Sequence, residues 1–154
     1  MDQLLLIFFQ KAKGWKLGEI ARDLSHTQKR NPYKLKKAGL LASTGTLKSR
    51  LFHDAFAKEG VEIVEPTDEE QAQVMEAIFG KEGVKAGFTS GKSKQIIHDT
   101  AQALVQRGAE AVIAGCTEVP LVLKEGDVEV PLIEPLQILA EVSILMAGHE
   151  LKTK

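Results

Sequence analysis

Two hydrophobic periods alternate along this chain of 154 residues. Residues 38–42, 61–64, 109–114 and 128–133 are short, mainly apolar runs bounded by turn-forming residues. Such runs read as buried strands. Between them, apolar positions recur at helical spacing. Leu47, Leu51, Phe52 and Phe56 predict a helix over 47–58, stopped by Gly60. Thr67 followed by Asp68, Glu69 and Glu70 predicts a helix start, with acids placed to suit the dipole, and that helix runs to about Phe79. Ile96, Ile97, Ala101, Leu104 and Val105 share one face of a predicted helix over 93–107. A short helix over 120–124 and a last one over 136–151 complete the pattern, and the glycine-rich stretch 80–91 is a loop.

Strands alternating with helices imply parallel pairing through right-handed crossovers. The expected fold class is α/β, a three-layer sandwich of about four parallel strands with a helical N-terminal leader. Residues 1–37 form that divergent basic leader, 38–135 the α/β domain and 136–154 a C-terminal helix. The last helix is apolar nearly all round, with Leu136, Ile138, Leu139, Val142, Ile144, Leu145 and Met146. Such a helix wants cover on more than one side, from a further domain or a partner.

Charge and composition narrow the function. With 20 basic and 21 acidic residues the net charge is −1, which argues against a bulk nucleic-acid or membrane-surface binder. The basic run 29–37 has one aromatic, Tyr33, and reads as a solvated linker. The apolar run 4–9 is too short to span a bilayer and lacks the charge order of a signal peptide. The expectation is a cytoplasmic protein. A single cysteine rules out an internal disulfide and a cysteine-based zinc site. His26, His53, His98 and His149 show no metal-ligand spacing, and no glycine pattern fits a nucleotide cradle.

The chemistry concentrates at Gly115-Cys116-Thr117-Glu118, which follows the predicted strand 109–114. In open α/β sheets, ligands bind in the crevice beyond the carboxyl ends of strands. A thiol there, near a helix N-terminus or a lysine, is expected to titrate below the free value of about 8.5. A base whose pKa lies near the working pH is an efficient one. The plainer reading is a small buried residue. Thr117 and Glu118 suit an anion site, or simply a helix cap and dipole compensation. Ser43 and Thr46, after the first strand, form either an anion cradle or a turn. Lys85, between Gly83 and Gly87, is either a carboxylate partner or a solvated lysine.

Four separated segments lie in order: Gly39-Leu-Leu-Ala-Ser-Thr-Gly-Thr46 with Lys48-Ser49, Gly83-Val-Lys-Ala-Gly87, Gly115-Cys-Thr-Glu118 and Val130-Pro-Leu-Ile-Glu-Pro135. Together they resemble the C-terminal half of the cofactor-independent, two-cysteine aspartate/glutamate racemases. The resemblance implies an isomerase acting on a small acidic amino acid, aspartate first and glutamate second, without pyridoxal phosphate, metal or other cofactor. It makes Cys116 one of two acid/base groups, and Ser43, Thr46, Lys85, Thr117 and Glu118 substrate-binding residues. The family's upstream Cys-Asn-Thr segment has no match in residues 1–37. Ser43 stands where threonine is usual, Phe52 near a usual tyrosine and Glu134 near a usual aspartate. The expected partners are therefore an acidic amino acid and either a second copy or a separate N-terminal half. The alternative is a truncated, catalytically impaired remnant that serves as a ligand-binding or interaction module. A thiol-redox or flavodoxin-like role fits less well without a second cysteine.

Overall fold

The computed structural model describes residues 35–151, with the side chains of Leu145 and Met146 left aside. Its strands are β1 (Lys37–Leu41), β2 (Glu62–Val64), β3 (Val112–Ala114) and β4 (Leu132–Ile133), all parallel, in the order β2-β1-β3-β4. Its helices are α1 (Thr44–Ser49), α2 (Leu51–Ala57), α3 (Asp68–Phe79), α4 (Lys92–Gln106), α5 (Val119–Val122) and α6 (Pro135–Met146), with a 3-10 turn at Val84–Ala86.

The strand period sorts side chains into two cores. Ala38, Leu40 and Ala42 join Ile113, Ile133, Phe56 and Ile138 on the face covered by α2 and α6. Leu41, Val112 and Ala114 join Val74, Ile97, Leu104 and Val119 on the face covered by α3, α4 and α5. The result is the expected three-layer α/β sandwich. Close approach of α4 requires glycine in β1: a Cβ on Gly39 would lie 2.9 Å from Leu104 Cβ.

The expected N-terminus of α3 forms a capping box. Thr67 Oγ1 accepts from Glu70 N at 3.2 Å, and Glu70 Oε2 accepts from Thr67 N at 2.8 Å. Arg107, just past α4, donates to both Glu70 carboxylate oxygens at 3.0 and 2.7 Å. One side chain thus caps a helix and ties two helices together. The guanidinium is the main reason that Glu70 titrates below an ordinary carboxylate.

Several boundaries differ from the sequence reading. The helix expected over 47–58 starts at Thr44 and breaks at Arg50, whose φ of 56° is left-handed. Arg50 N donates to Leu47 O, which closes α1, and Ser49 Oγ donates to Thr46 O. The break re-aims α2, so that Leu47 and Phe56 are both buried. β4 is two residues long because acids organise the approach to it. Asp127 Oδ2 accepts from Lys124 N and Glu125 Oε2 accepts from Leu132 N, and the segment between is a turn. The last helix stops at Met146, before Gly148 with φ +79°. β1 opens at Lys37, and Leu35 before it is already buried. The expected apolar run 4–9 and the basic linker up to Lys34 lie outside the described residues.

Candidate active site

Strand order places the site. From β1 the chain moves outward to β2, then returns across β1 to β3 and on to β4. The direction of travel reverses between β1 and β3, and ligands bind at the carboxyl ends of strands at such a switch point. Ser43 follows β1 there and Cys116 follows β3. The two strand ends are drawn close because residue 115 is glycine: a Cβ would lie 2.7 Å from Leu40 Cδ1 and 3.0 Å from Ala42 Cβ. Gly115 N donates to Leu41 O at 2.8 Å, extending the β1–β3 pairing to the residue before the thiol.

The thiol is half-buried and faces an acid. Cys116 Sγ donates to Glu118 Oε2 at 2.7 Å, and Thr117 Oγ1 donates to the same oxygen at 3.0 Å. Lys85 Nζ lies 3.9 Å from Glu118 Oε1 and 4.8 Å from the centre of the Phe79 ring, a cation–π position. Cys116, Thr117, Glu118 and Lys85 are therefore one cluster.

The electrostatics correct the expectation of a lowered thiol pKa. Burial pushes the Cys116 thiol up, and the hydrogen bond and charge of Glu118 push it further. Lys85 neutralises the carboxylate rather than acting on sulfur directly. α5 has only four residues, so its dipole is small. Glu118 is held below its ordinary range, chiefly by the thiol hydrogen bond, with Thr117 and Lys85 adding to it against burial. At neutral pH the arrangement is a protonated thiol hydrogen-bonded to an ionised carboxylate.

Ser43 and Thr46 sit at the adjacent strand end but are tied to each other. Ser43 Oγ accepts from Thr46 N at 3.3 Å and shares a hydrogen bond with Thr46 Oγ1 at 3.1 Å, which caps α1. Gln71, a residue the sequence reading missed, fixes this loop from below. Its Nε2 donates to Ala42 O at 3.1 Å and Thr44 Oγ1 at 3.2 Å, while its buried Oε1 has no partner. No local signal marks it, because Gln71 lies 29 residues from Ala42.

A cavity of about 680 Å³ opens beside the thiol between α2 and α6. Its wall includes Gly115, Cys116, Thr117 and Glu134, with Leu51, Phe52, Phe56 and Leu136 making it largely apolar. Ser43, Thr46 and Lys85 are not among its described lining residues. Leu51, Leu136 and Leu139 remain exposed at its mouth. Among the described residues no three His, Cys, Asp or Glu side chains are grouped to hold a metal ion. No helix there is long and apolar enough to cross a membrane.

The fold is thus a parallel α/β sheet with a thiol–carboxylate pair at its switch point. Residues 20–142 match the family model for Asp/Glu/hydantoin racemases. The chain belongs to that family. It is 38% identical over 89 residues to an uncharacterized protein from the pnlA 3′ region of Pectobacterium carotovorum subsp. carotovorum, a match covering 58% of this chain and 57% of that protein. Among solved structures, an aspartate racemase homologue from Pyrococcus horikoshii OT3 is similar, with a TM-score of 0.67 and 25% identity over 95% of this chain and 55% of that one. The aspartate racemase of Picrophilus torridus shares the fold at a TM-score of 0.61 and 18% identity, over 99% of this chain and 54% of that one. The chain thus spans little more than half the length of these relatives.

Proposed function

We propose that this protein supplies one proton-transfer half of an amino-acid racemase site, acting on an acidic amino acid, aspartate first and glutamate second. The observation that carries the reading is the Cys116–Glu118 pair, 2.7 Å apart at the end of β3. The thiolate form of Cys116, its proton released to solvent, takes the Cα proton from one face of the substrate, and Glu118 orients the S–H of the protonated form. Return of a proton to that face regenerates the starting enantiomer. Inversion needs a donor on the opposite face, brought by a second copy or by an N-terminal half. In this reading no pyridoxal phosphate takes part.

The substrate's α-carboxylate fits Thr117 and the Ser43–Thr46 loop, and its side-chain carboxylate fits Lys85. Residues 38–135 are the catalytic domain in this reading, and 136–154 pack against whatever carries the opposite donor. A lone reduced thiol suits a cytoplasmic setting. A second reading, an impaired unit acting as an interaction module, draws on the exposed Leu51, Leu136 and Leu139 beside the cavity.

The test is chiral chromatography of L-aspartate and L-glutamate incubated with the protein and with Cys116→Ser. A D-enantiomer that forms only with the thiol present supports the proposal. Turnover that is indifferent to Cys116→Ser refutes it, and neither inversion nor exchange of the Cα proton for deuterium with either acid favours the second reading.

A further inference from the structure

An acidic amino acid carries two carboxylates and one ammonium, and the groups assigned so far account only for the carboxylates. The ammonium needs an acceptor within reach of a carbon that Cys116 can touch. Glu118 is already engaged: Oε2 accepts from Cys116 and Thr117, and Oε1 faces Lys85. Gln137 donates to Glu141 at 2.7 Å and is engaged as well. Glu134 differs. It lies on the wall of the same cavity as Cys116 and Thr117, half-buried, and is the charged residue among the described lining.

Its position is fixed by the backbone, since Glu134 O accepts from Ile138 N at 3.1 Å in the first turn of α6. An acidic side chain just before a helix commonly accepts a hydrogen bond from the first turn. This carboxylate makes no hydrogen bond or ion pair within the described residues, and its residue lines the cavity. The walls around it are apolar, from Phe52, Phe56, Leu51 and Leu136. A charge-assisted contact gains strength in such surroundings.

We infer that the Glu134 carboxylate receives the α-ammonium of the substrate and so selects amino acids over dicarboxylates that lack the amine. The inference rests on the acidic-amino-acid reading above and adds to it a specificity residue from the β4–α6 junction. Two hydrogen bonds from an ammonium to a carboxylate orient Cα, with the α-carboxylate held at the β1 and β3 strand ends.

The test needs no turnover, because the chain has one cysteine and its alkylation by iodoacetamide is read by mass. Shielding of Cys116 is titrated with L-aspartate, succinate and N-acetyl-L-aspartate. In the wild-type protein, aspartate should shield at concentrations about ten- to hundredfold below the other two, the worth of a charged hydrogen bond. Glu134→Gln should remove that preference by weakening aspartate alone, and Glu134→Asp should keep most of it. Equal shielding by aspartate and succinate in the wild-type protein overturns the role of Glu134 without any variant. So does a Glu134→Gln protein that weakens both ligands alike or neither. If no dicarboxylate shields the wild-type thiol, the acidic-amino-acid reading itself fails, and the role of Glu134 with it.

Discussion

Replacing Glu118 by glutamine separates the charge of this side chain from its shape. The thiolate of Cys116 and the carboxylate of Glu118 are like charges whose atoms are 2.7 Å apart in the protonated pair. At that distance the repulsion is about 1.5 kcal/mol under full water screening and roughly 6 kcal/mol at an effective dielectric of 20. The lower figure alone corresponds to about a tenfold change in thiolate population at a pH below the titration midpoint. A more acidic thiol is also a weaker nucleophile, with a Brønsted slope of about 0.4–0.5, so the alkylation rate rises by roughly threefold rather than tenfold. The assay is the pseudo-first-order rate of iodoacetamide labelling from pH 6 to 10, on wild-type protein and Glu118→Gln, with far-UV circular dichroism to confirm equal folding. The wild-type midpoint should lie above that of a free cysteine, and the variant's below the wild-type one. An unchanged or slower rate in a folded Glu118→Gln protein would show that the carboxylate does not govern the thiol.

Two further substitutions probe how the fold holds this site. Gly115→Ala should destabilise by about 1–3 kcal/mol in urea titration, since its Cβ would meet Leu40 Cδ1 at 2.7 Å, and should also change Cys116 labelling; wild-type stability and labelling would refute the close-packing argument. Glu70→Ala removes a capping box and the Arg107 pair, and should cost about 1–2 kcal/mol at neutral pH. Glu70 is held below its ordinary range in the folded chain, so its contribution is present above the unfolded value of about 4.3 and is lost as pH falls through the folded one. The stability gap between wild type and Glu70→Ala should therefore close at acid pH, and a gap that persists there would point to lost packing instead.

The layered α/β fold was legible because buried parallel strands and amphipathic helices write different periods into the chain. The apolar run 38–42 marks a buried strand, and the pleat then sends Ala38, Leu40 and Ala42 to one core and Leu41 to the other. The break at Arg50 was not legible, since arginine has no preference for a left-handed backbone and the reason lies in how Leu47 and Phe56 must both reach the core. The thiol site was legible as a place: Gly115-Cys-Thr-Glu118 follows a strand, and Lys85 lies within reach of it. Its electrostatics were not. The sequence reading expected a helix N-terminus or a lysine to lower the thiol's pKa, whereas the acid two residues after the cysteine bonds the sulfur and Lys85 faces that acid. Gln71 stayed hidden for a related reason: it acts on a strand end 29 residues away in sequence.

The central claim is that Cys116 moves a proton at the Cα of an acidic amino acid. It is tested most directly by incubating the protein with L-aspartate in heavy water and following deuterium at Cα by NMR, alongside Cys116→Ser. The account predicts deuterium uptake by the wild-type protein that is lost in the variant, with retained configuration wherever no opposite donor is present. Exchange at the same rate in Cys116→Ser, or no exchange with aspartate or glutamate by the folded wild-type protein, would contradict it.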